Sequence, residues 1–197
     1  MKKTLHKTEI RKLNEAEIVS VYNDHMLQDF PQKELIPLDI ILEASREGGY
    51  LGFGFYRAGV MLGYSFLART KIPETAYLAD FLGIFPEYRD SGFGTIFQKK
   101  LFKEKIADAE YLFCEVEDPD TESDPAKKET MIRRIRHHLS VGWIDTGVCV
   151  VTLGAEYRLM EYPIRKEHDP DTVKKIYDAM YRYMLPQHMW NEVLFKN

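Results

Sequence analysis

The chain has 197 residues, 45% hydrophobic and 13% aromatic, enough apolar material for one globular domain (1–197) with a sizeable core. A formal net charge of -4 leaves no basic footprint for nonspecific nucleic-acid binding. No apolar run approaches the ~20 residues that a membrane span needs, and MKKTLHKTEI lacks the apolar segment of a secretory signal. A cytoplasmic protein with neither a nucleic-acid nor a membrane partner is expected. Its two cysteines, Cys114 and Cys149, form no CxxC pair and read as reduced, buried side chains. None of the six histidines stands four residues from another, so no metal is expected.

In chain order, Leu5 to Leu13 reads as a first strand. Asn14 can cap a helix through Ile18, Val19, Tyr22 and Met26, ended by Pro31. A second helix follows Pro37, with Leu38, Ile41 and Leu42 in step, and stops at Gly48-Gly49. Tyr50 to Arg57 and Val60 to Arg69 read as a hairpin, and Ala76 to Phe85 as a third strand of the meander. On that third strand Leu78, Asp80, Leu82 and Ile84 share one face by the period of two.

Pro86 ends the strand, because proline cannot donate to a ladder. A turn, Arg89-Asp90-Ser91-Gly92-Phe93-Gly94-Thr95, opens a helix through Phe97, Leu101 and Ile106. Closely spaced glycines let bare backbone approach a ligand, and the free N–H groups of a helix start attract an anion. The spacing therefore predicts a phosphate site. A dinucleotide fingerprint would need a third glycine where Phe97 stands, and no Gly-Lys-Ser/Thr triplet follows for a Walker-type loop.

Glu110 to Glu117 reads as the next strand, with Glu115 and Glu117 on one face, reached by a parallel crossover. The acidic loop DPDTESD follows, then a helix from Asp124-Pro125 with Met131, Ile132, Ile135 and Leu139 in its stripe. Trp143 to Val148 and Cys149 to Tyr162 read as two strands meeting near Gly147. A last helix is expected from Asp169 to Leu185, with Trp190, Val193, Leu194 and Phe195 docking back onto the domain.

Arg89-x-x-Gly92-x-Gly94, placed after an apolar strand and before a helix, resembles the acyl-CoA-binding motif [RQ]-x-x-G-x-[GA] of the GNAT superfamily of N-acetyltransferases. Arg134 to Trp143 is similar to that family's second signature, with Trp143 in place of its phenylalanine. The resemblance covers about residues 5–162 and implies an α/β (α+β) fold. Its mixed, mostly antiparallel six- or seven-stranded sheet is flanked by helices, and the C-terminal helix (about 165–197) is an extension. It also implies acetyl-CoA as co-substrate, with the backbone of Leu82 and Ile84 pairing with the pantetheine arm. Amides of Arg89, Asp90, Ser91, Gly92, Phe93, Gly94 and Thr95 would wrap the pyrophosphate. Transfer to the primary amine of a small cationic or peptide substrate, by direct attack in a ternary complex, follows as the implied activity.

Catalytic roles do not transfer by motif. Asp80 is the preferred base because it shares the face of Leu82 and Ile84; Glu115 and Glu117 are the second choice, and water is open as a third. Where the family often has a tyrosine acid, four residues before the glycine of the second signature, this chain has His138. That substitution leaves an alternative, a non-catalytic acyl-CoA sensor or scaffold of the same fold. A homodimer through sheet edges or C-terminal elements stays open.

Overall fold

The computed structural model describes residues 7–71, 74–152, 154–184 and 187–196. Leu5 of the expected first strand, and Leu185 with Pro186 at the end of the expected last helix, lie outside the described residues. Strand β1 is Thr8–Lys12, and helix α1, Glu15–Val21, starts at a reciprocal cap. Asn14 Oδ1 accepts from the Glu17 amide at 3.0 Å, and Glu17 Oε2 accepts from the Asn14 amide at 2.9 Å. The helix loosens into a π turn over Tyr22–Met26 and closes with α2, Leu27–Asp29. Helix α3, Leu38–Glu47, ends at Gly48 with φ 77°, a left-handed cap that glycine adopts without steric cost.

Eight strands follow the order β1-β2-β3-β4-β5-β7-β6-β8. They are joined by β2 (Tyr50–Arg57), β3 (Val60–Thr70), β4 (Ala76–Ile84), β5 (Tyr111–Glu117), β6 (Ile144–Thr152), β7 (Ala155–Glu161) and β8 (Val193–Phe195). The ladders β1–β2, β2–β3, β5–β7, β7–β6 and β6–β8 are antiparallel, while β5 runs parallel to β4 over Ala76–Leu78. Helix α4, Phe93–Lys105, is the crossover into β5. Helix α5, Pro125–Ser140, leads to the β6–β7 hairpin, and α6, Pro170–Met184, precedes β8.

Two features differ from expectation. Among the described residues the sheet has eight strands rather than six or seven, because Val193–Phe195 pairs with Val150–Thr152 as a true edge strand. A three-residue strand is too short to display a period. Gly147 does not separate two strands but sits at a bulge inside β6. There its φ is 72°, its amide bonds Asp145 Oδ1 at 2.9 Å, and the register to β7 slips between Asp145 and Cys149.

The chain forms two compact units. One comprises the chain up to Ala68 with Ala79–Ala107; the other comprises Arg69–Leu78 and the chain from Asp108 onward. In the first, Phe55 stacks on Phe97 at 4.8 Å, among buried Ile10, Ile18, Met26, Ile41 and Leu101. In the second, Leu112, Phe113, Val148, Val150, Leu159 and Met160 from the strands bury the face of α6 carrying Val173, Ile176, Tyr177 and Met180. The apolar stripe expected on α5 is only partly covered, and Leu139 is 47% exposed.

Candidate functional site

In the first unit, strand β4 carries the expected residues. The Phe85 amide donates to the Leu62 carbonyl at 2.9 Å, and the Phe81 carbonyl accepts from Ser65 Oγ at 2.9 Å. Phe81, Gly83 and Phe85 thus direct their backbone groups at β3, and by alternation those of Asp80, Leu82 and Ile84 point the other way. Leu82 is 39% exposed. Asp80 is half-buried, and its Oδ2 accepts a hydrogen bond from the phenol of buried Tyr50. Burial, then the neighbouring Asp80 carboxylate, pushes the Tyr50 phenol well above its ordinary pKa, so it stays a donor.

Beyond Pro86–Tyr88 the chain turns through two left-handed residues, Asp90 at φ 58° and Gly92 at φ 73°. Gly92 is the N-cap of α4, where no side chain caps the helix and no acidic residue lies in the first turn. The intrahelical ladder begins with the Ile96 amide on the Gly92 carbonyl at 3.2 Å, so the amides of Phe93, Gly94 and Thr95 have no partner within the helix. At Gly94 a Cβ would meet only Ile84 Cγ1, at 3.8 Å, so the mouth of the turn is open. Positive helix dipole, bare amides and a first helical turn without an acidic side chain suit an anion.

Arg89, the first residue of the turn, is held from two sides. Its Nε donates to the Ile84 carbonyl at 2.9 Å and its Nη2 to Asp29 Oδ1 at 2.7 Å. The other oxygen of Asp29 accepts from the Tyr64 phenol at 2.9 Å. Burial, with the Asp29 bond second, raises that phenol far above its ordinary pKa. The Tyr64 ring lies over Gly83, where a Cβ would come within 2.7 Å of it, so glycine is required there. His25, in the π turn, stacks on Phe85 at 3.9 Å.

In the second unit Glu115 is half-buried, and Oε1 accepts from the phenols of both Tyr177 and Tyr181. Burial raises its carboxyl pKa, while the two phenols pull the other way. Tyr177 Oη also meets Thr152 Oγ1 at 2.9 Å. Glu117 pairs with Arg134 at 2.6 Å. On α5, His138 Nδ1 lies 2.8 Å from the Arg134 carbonyl. A carbonyl only accepts, so Nδ1 carries the proton and Nε2 of the neutral ring is bare. Burial lowers the pKa of this imidazole and favours the neutral form. In the acidic loop after β5, Arg158 of β7 grips Asp118 at 2.9 Å and Asp120 at 2.6 Å, so these carboxylates are paired within their own unit.

Structure thus brings Asp80, Leu82, Ile84 and the turn Arg89–Thr95 together in one unit, and places Glu115 and His138 in the other. Sequence reading missed Tyr50, Asp29, Tyr64 and the two tyrosines of α6. The spacing of Tyr177 and Tyr181, four apart on the expected last helix, was a local signal, and it named no partner.

No family model and no curated protein sequence matches the chain. Solved structures do share its fold. An acetyltransferase of the GNAT family from Bacteroides thetaiotaomicron aligns with a TM-score of 0.70 at 15% identity, covering 90% of this chain and 99% of its own. The ribosomal-protein alanine N-acetyltransferase of Escherichia coli aligns at 0.56 and 18% identity, covering 82% and 97%. A spermidine N-acetyltransferase variant from Vibrio cholerae aligns at 0.54 and 14% identity, covering 78% and 92%. The chain has the fold of the GNAT N-acetyltransferases.

Proposed function

We propose that this chain is a cytoplasmic N-acetyltransferase that moves acetyl from acetyl-CoA to the primary amine of a small cationic or peptide substrate, by direct attack in a ternary complex. The observation that supports it most is the uncapped start of α4, opened by Arg89-x-x-Gly92-x-Gly94 at the end of a strand, in a chain of this fold. Those residues fit a diphosphate: three amides without helical partners, no acidic side chain in the first turn, and space over Gly94. Acetyl-CoA supplies the activated acyl thioester.

The residues of the chain take the following roles. Amides from Arg89 through Thr95 hold the diphosphate. The backbone of Leu82, together with the Ile84 amide, offers an extended arm the pairing that a neighbouring strand would make. The Ile84 carbonyl is already bonded to Arg89, which leaves its amide for that purpose. The Leu82 amide stabilises charge on the reacting oxygen. Asp80 takes the proton of the ammonium substrate, directly or through water, and the Tyr50 phenol favours its ionised form. Glu115 has its Oε1 filled by two phenols and stands second as a base. His138, whose Nδ1–H is engaged by the Arg134 carbonyl and whose pKa burial lowers, stands in place of the family's tyrosine as the candidate acid for the departing thiolate.

That last feature favours a second reading, an acyl-CoA sensor without transfer. Calorimetric titration with acetyl-CoA, followed by thiol release against a panel of polyamines, aminoglycosides and peptides, separates the two. Binding with release for one amine class supports the enzyme. Binding without release for any amine supports the sensor, and no binding overturns both.

A further inference from the structure

We propose that Asp29, backed by Tyr64, is a positioning residue for the anion-binding turn and acts on it through Arg89; the ligand it serves rests on the acetyl-CoA reading above. Two elements meet at this guanidinium, and a third backs one of them. Arg89 takes the Ile84 carbonyl at the end of β4 with Nε, at 2.9 Å, and Asp29 at the end of α2 with Nη2, at 2.7 Å. Tyr64 of β3 fixes the second oxygen of Asp29 at 2.9 Å, and its ring is itself pressed over Gly83. The side chain of Asp29 is 18% exposed and that of Arg89 is 49% exposed, so the inner half of the pair is the fixed one.

The turn needs such a bracket. Asp90 is a non-glycine residue in the left-handed region, and Gly92 follows in the same region. No side-chain cap fixes the first turn of α4. Anchoring Arg89, one residue before Asp90, to a strand end and a helix end sets the direction in which the amides of Phe93, Gly94 and Thr95 point. Asp29 also offsets the charge of Arg89, and two of the guanidinium's nitrogens are committed. The ligand is therefore met by oriented amides rather than by a loose cation.

The test follows the Arg89 Nε–H and the Gly92 and Gly94 amides of the free protein by NMR, and acetyl-CoA binding by calorimetry. In Asp29→Asn the Arg89 Nε–H should lose protection from exchange and both glycine signals should move. The Kd for acetyl-CoA should rise roughly tenfold, the loss of one charge-assisted hydrogen bond, with kcat at saturation unchanged. Asp29→Glu should restore part of the affinity, and Asp29→Asn should add nothing in an Arg89→Ala background. Should Asp29→Asn fail to fold by circular dichroism, Tyr64→Phe carries the same comparison with a smaller loss. Glycine signals that coincide with wild type, or additive losses in the double variant, overturn the proposal. If the wild type binds no acetyl-CoA while the glycine signals still move, the acetyl-CoA reading fails and the bracket stands.

Discussion

The phenol of Tyr50, on β2, donates a hydrogen bond to the carboxylate of Asp80, on β4, across 30 residues of sequence. A hydroxyl donor of this kind favours the charged form of a carboxylate. Tyr50 itself, raised well above its ordinary pKa by burial and by Asp80, keeps its proton through the working range. If Asp80 is the base, Tyr50→Phe should shift the acid limb of the kcat/KM profile to higher pH, with a small loss on the alkaline side. Asp80→Asn should lower kcat by about 10²–10⁴-fold, the usual span for a general base. An acid limb unmoved in both variants would remove Asp80 from the mechanism.

The extent to which this site was legible follows from how each residue is held. Arg89, Gly92 and Gly94 act through a contiguous turn, so their spacing alone announced an anion site. Leu82 and Ile84 were legible by alternation along β4. Asp29 and Tyr64 were not, because their roles arise only when the end of α2 meets Arg89, 60 residues further along the chain. For the same reason α6 read as an amphipathic helix while its two phenols on Glu115 went unseen. The bulge at Gly147 misled for a local reason: a glycine amid β-formers reads as a turn unless the register on both sides is known.

The backbone of the anion turn gives a prediction of graded form. Gly92 has φ 73° and open space where a Cβ would go, so Gly92→Ala is strained by conformation and not by contact. A stability loss of about 1–2 kcal/mol is expected, the left-handed cost for an L residue. Gly94 has an ordinary helical conformation, and alanine fits there. Gly94→Trp should leave the folded protein intact and fill the mouth of the turn. Acetyl-CoA affinity unchanged in a folded Gly94→Trp protein would refute the anion site.

Arg158 is the mainstay of the acidic loop in the second unit. It bonds Asp118, which is 7% exposed, as well as Asp120. Burial alone would raise the Asp118 carboxyl, yet the Asp120 amide and the Arg158 guanidinium hold it below its ordinary value. A depressed folded pKa contributes stability that is present above the unfolded value and lost as pH falls through the folded one. Arg158→Ala should therefore cost roughly 1.5–3 kcal/mol at neutral pH, the range for hydrogen bonds to charged groups. The difference from wild type should shrink in acid, as Asp118 is protonated in both proteins. Urea titrations at neutral and acid pH would show it; a gap that persists in acid would mean that Arg158 stabilises by packing.

Glu115 carries the opposite sign. Burial raises its folded pKa, and the Tyr177 and Tyr181 phenols only partly offset that. Between the unfolded and the raised folded value the native state binds the extra proton, so stability falls as pH rises through that window. Glu115→Gln keeps an oxygen that can accept from both phenols and removes the buried charge. The variant should melt higher than wild type at neutral pH, and the two should converge below about pH 3, where glutamate is protonated in either state. Activity then assigns the residue. If Asp80 is the base, Glu115→Gln turns over amines like wild type while being more stable. If Glu115 is the base, the same variant gains stability and loses the reaction, since a group whose charge is costly to the fold is retained for the proton it takes.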